Sequence, residues 1–172
     1  MYFATRGRAL KLTLALAAAV SMAACSKNPG DDANGAGGLN GGVGSGVATP
    51  GSAQDFIVNV GDRVFFESDS TELSAQAQAT LDKQARWLQQ YGRYSFTIEG
   101  HADERGTREY NFALGARRAE AAKNYLAAKG ISASRIKTTS FGKERPVAVC
   151  NDISCWSQNR RAVTVLEGSP QS

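Results

Sequence analysis

The chain has a single histidine, His101, among its 172 residues. That scarcity excludes a zinc site built from two or three histidines. A Ser-His-Asp triad would have to use His101, which stands two residues before Asp103; such spacing does not by itself make a base and its orienting acid. No Gly-x-Ser-x-Gly elbow is present. Cysteine is nearly as rare, with Cys25, Cys150 and Cys155 only, and none reads as a free nucleophile. No apolar run is long enough to span a bilayer as a stable helix, and no internal repeat is visible. The excess of positive charge is also slight once its distribution is considered. The chain holds 20 Lys+Arg and 16 Asp+Glu. Arg6, Arg8 and Lys11 lie in the first 24 residues, which contain no acid; removing these three cations from 20 leaves 17 against 16, or +1. A basic footprint for nucleic acid is therefore absent.

What is present begins with the first 25 residues. Arg6, Arg8 and Lys11 form a positive region, Leu12–Val20 a short apolar one, and Met22-Ala23-Ala24 supplies small residues before Cys25. This pattern is a secretory signal over residues 1–24. Ala23-Ala24-Cys25 resembles a bacterial lipobox, with Met22 where leucine is usual, so Cys25 is the expected lipid-attachment site. The other reading is an ordinary cleaved signal with an incidental cysteine. Ser26 after the cysteine, rather than Asp, favours the outer membrane. Each buried CH₂ of an acyl chain contributes roughly 0.8 kcal/mol, so several chains anchor a protein firmly without a transmembrane helix.

Residues 25–54 read as a lipidated N-terminus and a flexible tether. Nine of the 18 glycines fall between Ser26 and Ser52, and the few apolar residues are small. Such a segment buries too little surface to offset its ordering entropy. A Gly-rich coil of this length reaches on the order of 30 Å. The folded part is then expected over residues 55–168, one domain with a single core, followed by a disordered tail over 169–172.

Within the domain, Phe56–Glu67 carries β-branched and aromatic residues broken by Gly61-Asp62. It predicts two short strands, or a strand and a turn, with Val64-Phe65-Phe66 the stronger. Leu73–Tyr91 reads as a helix with Ser74 as N-cap; Ala77, Leu81, Ala85 (or Gln84) and Leu88 fall at helical spacing, and Gly92 stops it. Tyr94–His101 alternates apolar and polar residues and predicts a strand. Arg108–Lys129 predicts a second helix, with Leu114, Tyr125 and Leu126 on or near its apolar side and Gly130 at its end. Arg135–Gly142 and Ala162–Leu166 complete the strands. The order β-α-β-α-β-β implies an α/β (α+β) two-layer sandwich, with helices on one face of a mixed sheet.

Cys150 and Cys155 bracket a loop between the last two strands. In an oxidising compartment they favour a disulfide; a metal site would need two further ligands, and none is close in sequence. His101 sits where a strand turns into a loop, and the plainer expectation is that it satisfies backbone groups there. Asp103 and Glu104 are adjacent, so in an extended segment their side chains diverge. A hydrolase using both carboxylates nevertheless stands as the alternative function.

The densest run of ionisable groups is "GHADERGTREYNFALGARRA", residues 100–119. Asp103 follows a strand, and Gly106 allows a tight loop. Asn111, Leu114 and Arg118 are spaced three and four apart and share a helical face. If that face returns towards the strand end, a carboxylate and a guanidinium flank a small cleft. Such a pair suits a zwitterion, with an ammonium on Asp103 and a carboxylate on Arg118. The competing reading is a surface salt bridge between the two, worth ~0–1 kcal/mol. Arg117 points about 100° away from Arg118 and is expected in solvent. Arg160 or Arg161 either approaches the cleft or edges the sheet, and both are left outside the site.

The run "GHADERGTREYNFALGARRAEAAKNYLAAKGI", with "FGKERPV" and "NRRAV" downstream, resembles the OmpA-like peptidoglycan-binding domain family from about Arg63 to Leu166. Departures from its pattern are Glu67 where Asp is frequent, Gly115 where Ser is common, and the cysteine pair. The resemblance implies the same β-α-β-α-β-β sandwich and no enzyme activity or cofactor. It implies non-covalent binding of the peptidoglycan stem peptide through the free end of meso-diaminopimelate. Asp103 would take the ammonium and Arg118 the carboxylate, with Phe66, Asp69, Thr107, Asn111 and Leu114 near the cleft. It further implies an envelope role at the outer membrane, in wall attachment and in constriction at division, with a TolB-like periplasmic protein as competing partner.

Overall fold

The structure is a computed structural model and describes residues 48–168. The signal segment, Cys25, most of the expected tether and the tail over 169–172 lie outside the described residues.

Ser74 starts the first long helix, α2 (Ala75–Gln90), its hydroxyl accepting from the Ala77 N–H at 3.2 Å. Ala77, Leu81, Gln84, Ala85 and Leu88 are buried along one side, which is the amphipathic pattern expected of a helix lying on a sheet. Gln84 is the polar member of that seam. It donates to the Gly61 carbonyl at 2.7 Å and accepts from the Thr164 hydroxyl at 2.9 Å. A buried amide satisfied at both ends avoids the desolvation cost of an unpaired one. The second long helix, α3 (Arg108–Ala128), is capped by Thr107 and buries Leu114, Gly115, Ala119, Ala122 and Leu126.

The sheet comprises β1 (Arg63–Phe65), β2 (Phe96–His101), β3 (Ile136–Gly142) and β4 (Arg161–Leu166), in the order β1-β4-β2-β3. β2 and β3 run parallel, joined by α3 as crossover; β4 is antiparallel to both β1 and β2. The mixed sheet and its two long helices match the expected architecture. Phe96, Ile98, Val64, Ala162 and Leu166 meet α2 and α3 in the core. The opposite face carries Arg63, Glu99, His101, Arg161 and Val163.

One close approach fixes α3 on the sheet. A Cβ at Gly100 would lie 1.8 Å from the Gly115 carbonyl oxygen, and one at Gly115 would lie 2.5 Å from the Ser140 hydroxyl. Two glycines let the helix backbone touch the strand, which brings Arg118, one turn further on, to the end of β2. A serine at position 115 would not fit against Ser140 as it stands.

Three features depart from expectation. Phe56–Val60 is a π-helical turn, not a strand, and follows a single helical turn, α1 (Ala53–Asp55). The Asp55 carboxylate accepts from the Trp87 indole and from the Gly51 N–H, both at 2.8 Å, and Phe56 is fully buried beside Trp87 at 4.9 Å. Those tertiary contacts override the β-propensity of Ile57 and Val58, which stay exposed. For the same reason the fold takes in residues before Asp55, within the expected tether: Gly51 is buried and its carbonyl accepts from the Tyr94 hydroxyl at 2.8 Å. Third, the loop between β3 and β4 holds a short helix, α4 (Ile153–Asn159), capped by Asp152. Cys150 and Cys155 are joined by a disulfide at its start.

Candidate ligand cleft

Three segments converge beyond the end of β2: the loop Ala102–Gly106, the first turns of α3, and the loop Phe66–Ser70 that follows β1. Gly106 turns the first of these at φ +85°. The Asn111 amide then holds it by donating to the Arg105 carbonyl at 2.6 Å, and the Lys143 ammonium donates to the Gly106 carbonyl at 2.6 Å. Asp69 adopts φ +54°, a left-handed conformation that aspartate tolerates better than most residues, and the Tyr110 hydroxyl bonds its carboxylate. Between the segments lies a cavity of about 290 Å³ lined by Ser68, Asp69, Asp103, Tyr110, Asn111 and Leu114, with Arg105 at its edge.

Asp103 is buried and surrounded by donors. Arg105 reaches it through its backbone N–H at 3.2 Å, Nε at 3.1 Å and Nη2 at 2.6 Å; Arg160 Nη1 lies at 3.4 Å. Burial alone would push the carboxyl up. The hydrogen bonds and charge of Arg105, with a bond from Arg160, outweigh it and hold Asp103 below the ordinary carboxylate value. Asp103 is therefore an anion at neutral pH. Arg105 is itself braced, over the Trp156 ring at 4.1 Å and on the Ser68 hydroxyl at 2.8 Å.

Arg118 departs from the expected placement. It does not line the cavity but lies beneath it, fully buried. Its Nε donates to the Ser70 carbonyl at 2.9 Å, Nη1 to the His101 carbonyl at 2.8 Å and Nη2 to the Glu67 carbonyl at 3.1 Å. The guanidinium rests over the Phe66 ring at 5.2 Å. Burial depresses its pKa to about 10, with the Asp103 charge opposing, so it stays cationic. Nor do Asp103 and Arg118 form the surface salt bridge of the competing reading: no ion pair joins them among the described residues. A guanidinium has five N–H donors, so two remain beyond the three bonds to carbonyls.

Of the other expected site residues, Asp69, Asn111 and Leu114 line the cavity. Thr107 caps α3 instead, its hydroxyl accepting from the Tyr110 N–H at 3.2 Å, and Phe66 supports Arg118 from below. Arg117 is exposed. Glu104 turns away from Asp103 and accepts from the Trp156 indole, so the two adjacent carboxylates occupy separate networks. The sequence reading leaves Arg160 out, but it is buried here, with Nε on the Phe66 carbonyl at 2.9 Å and Nη1 facing Asp103. Its neighbour Arg161 points to the other face, as alternation along β4 requires. Arg105, Ser68, Tyr110 and Trp156 also belong to the site. Only Arg105 had a sequence signal, its position two residues after Asp103 in a glycine-containing turn.

His101 contradicts expectation as well. Its carbonyl accepts from Arg118, while its ring satisfies no described backbone group and places Nε2 3.7 Å from the Glu99 carboxylate. The ring is 2% exposed and stacks on Phe141 at 5.6 Å, and neither ring nitrogen has a hydrogen-bond partner among the described residues. Burial first, and then the charges of Arg161, Arg145 and Arg63, push its pKa down to about 3.

Comparison with known proteins gives the relatives of the chain. The model of the OmpA family matches residues 65–160. A peptidoglycan-associated lipoprotein of Rhizobium meliloti (strain 1021) is 63% identical over 161 residues, covering 94% of this chain and 86% of that protein. One from Pseudomonas aeruginosa is 43% identical, covering 86% of this chain and 90% of that protein. The crystal structure of the peptidoglycan-associated lipoprotein from Burkholderia pseudomallei superposes with a TM-score of 0.60 at 42% identity, over 62% of this chain and 90% of that one. The C-terminal domain of Helicobacter pylori MotB, at 19% identity, shares the fold with a TM-score of 0.58, over 63% of this chain and 85% of that one.

Proposed function

The chain belongs to the OmpA family and, within it, to the peptidoglycan-associated lipoproteins; from that premise we propose that it is an outer-membrane lipoprotein that holds peptidoglycan non-covalently. The ligand is the diaminopimelate of the stem peptide, and the cleft at Asp103 is where it docks. The chain is a binding module and not an enzyme. Acylated Cys25 anchors it to the membrane, the segment to residue 54 supplies reach, and the domain works in a Tol–Pal system at the periplasmic face. There a TolB-like protein is the competing partner, and the system serves envelope integrity and cell division.

The observation that carries this reading is the buried, ionised Asp103 in a small cavity that has the buried guanidinium of Arg118 beneath it. An amino-acid head group carries the two opposite charges such a site matches. The ligand ammonium takes the place of the Arg105 guanidinium on Asp103. The Arg105 side chain is 43% exposed, and it gives up its bonds to Asp103 and Ser68 to swing outwards as the ammonium docks. The ligand carboxylate is drawn by the buried charge of Arg118 under the cavity, and it reaches the two N–H groups that Arg118 has left only as the Phe66–Ser70 loop shifts to uncover them. Asn111 and Thr107 hold the loop, and Leu114 packs on the ligand's methylene stem.

The test is a calorimetric titration of residues 26–172 with a diaminopimelate stem peptide and with the same peptide carrying lysine. Lysine keeps the ammonium and lacks the carboxylate. Diaminopimelate should bind more tightly by roughly 1.5–3 kcal/mol, and Asp103→Asn should weaken both peptides. Equal binding, or none, removes the reading. Sedimentation with purified sacculi separates binding from hydrolysis: the protein should pellet with the wall and release no muropeptides.

A further inference from the structure

The face of the sheet away from α2 and α3 holds a second cavity, of about 490 Å³, walled on one side by the loop residues Glu144, Arg145, Pro146 and Val147. Its floor is made by Glu99 and His101 of β2 and by Arg161 and Val163 of β4; Arg63 and Arg145 flank it. Buried polar atoms in native proteins are nearly always paired. Here three are not, among the described residues: both ring nitrogens of His101 and Nε of Arg161, residues only 2% and 4% exposed.

The charges that line this cavity are not evenly matched. Arg63 is engaged with Asp62 at 2.8 Å, and Glu144 with Arg108 at 3.1 Å. That leaves Arg145, Arg161 and Glu99, whose Oε2 stands 3.7 Å from His101 Nε2, near it but beyond hydrogen-bond reach. Arg145 lies over the Phe141 ring at 3.6 Å, and His101 stacks on the same ring. Arg161 uses Nη1 and Nη2 on the Asn159 and Arg145 carbonyls and keeps Nε–H unpaired. Two guanidiniums against one carboxylate leave one positive charge uncompensated, which matches a single negative charge.

We propose that this cavity is a second binding site, which takes a carboxylate group between Arg145 and Arg161 with His101 as a third donor. A guanidinium edge fits the two oxygens of a carboxylate in parallel hydrogen bonds. The neutral imidazole has one N–H to donate to the same group. A doubly charged phosphate ester would meet Glu99 in the same space and is disfavoured. The carboxylate comes either as a small free acid or on a peptide side chain. Phe65 and Val147, about half exposed nearby, would contact the flanks of such a peptide. The site is separate from the cleft at Asp103: no residue lines both, although the His101 backbone and the Lys143 bonds to the Glu104 and Gly106 carbonyls link their walls.

The single histidine makes the test unambiguous. The imidazole nitrogens of the ¹⁵N-labelled full-length protein are followed by NMR at pH 7 while sodium acetate, or the capped tripeptide Val-Asp-Val, replaces sodium chloride at constant ionic strength. A saturable shift of the His101 nitrogens is expected with carboxylate and not with chloride. Arg145→Gln, a change at an exposed residue that leaves the fold intact, should weaken it by roughly tenfold or more. Tighter binding of the tripeptide than of acetate assigns the site to a protein segment; acetate binding as well as the tripeptide assigns it to a small free acid. No saturable shift with either, an equal shift with chloride, or an acetate response unchanged in both Arg145→Gln and Arg161→Gln overturns the proposal.

Discussion

Two concavities lie on either side of the same strand residue and treat their arginines differently. At the cleft, Arg118 is fully buried and bonded to three backbone carbonyls, and Asp103 is surrounded by donors from Arg105 and Arg160. In the opposite cavity, Arg161 and His101 are nearly as buried yet keep unpaired atoms. The cleft is thus built as structure first, its charges fixed by the backbone before any ligand arrives. The cavity opposite holds polar atoms that the fold itself does not use, the His101 ring nitrogens and Arg161 Nε, although Arg161 also closes a loop through the Asn159 and Arg145 carbonyls.

The sharpest way to break this contrast is to remove Arg118. Arg118→Ala leaves the carbonyls of Glu67, Ser70 and His101 without their donor, and an unsatisfied buried group costs ~1–3 kcal/mol. The expected loss is at least ~3 kcal/mol in urea denaturation, against about 1 kcal/mol for Arg161→Gln. Equal losses would mean that the two arginines play the same part.

Reduction of Cys150–Cys155 comes next. The bridge closes a loop of sequence separation 5, so its loss should cost up to ~2 kcal/mol. It should also loosen Trp156, and with it Arg105. Thiol titration of unreduced residues 26–172 should find no free thiol.

His101 gives a pH-dependent contrast. Its native pKa is depressed from 6.5 to about 3. Between those values the unfolded chain holds more protons than the native one, so stability falls as pH falls, by at most ~1.4 kcal/mol per pH unit. Glu99, whose carboxyl burial raises, contributes the opposite sign in the carboxylate range. Asp103, held below its ordinary value, contributes the same sign as His101 there. His101→Phe keeps the stacking on Phe141 and should remove the slope between pH 6.5 and 5. A slope that persists in this variant would show that the ring is not its source.

The smallest effect concerns Arg105. Its pair with Asp103 is partly exposed, so Arg105→Ala should change stability by only ~0–1 kcal/mol. Calorimetry should find diaminopimelate peptide binding tightened by up to a similar amount, because the ammonium no longer displaces a resident cation. Weaker binding would make Arg105 a ligand contact instead of a cover.

Much of this architecture was legible in the residues. Ser74 caps its helix, and the spacing of Leu81, Ala85 and Leu88, with Leu114 and Leu126 in the second helix, marks the buried sides. The alternation from Phe96 to His101 marks a strand. Those signals are local, because capping and periodicity act within a few residues. Phe56–Val60 was misread because its conformation depends on Asp55 reaching Trp87, 32 positions away. Arg160 could not be told from Arg161 as the one that approaches the cleft, for the same reason: it meets Asp103 across 57 positions. Residues 100–119 announced Asp103 and Arg118 by charge density, but not that one would line the cavity and the other lie under it. Helical spacing gives direction around an axis and not depth.

The anchoring of Gly51 bears on mechanics. The Gly51 carbonyl accepts from the Tyr94 hydroxyl, and Asp55 ties the same turn to Trp87, so tension arriving from the preceding chain enters the domain near the start of β2. The cleft lies beyond that strand's other end. β2 is flanked by β4 on one side and β3 on the other. A pull between the upstream chain and a ligand held at Asp103 therefore runs along the strand axis. It strains both ladders in shear, with their hydrogen bonds resisting together instead of opening one after another.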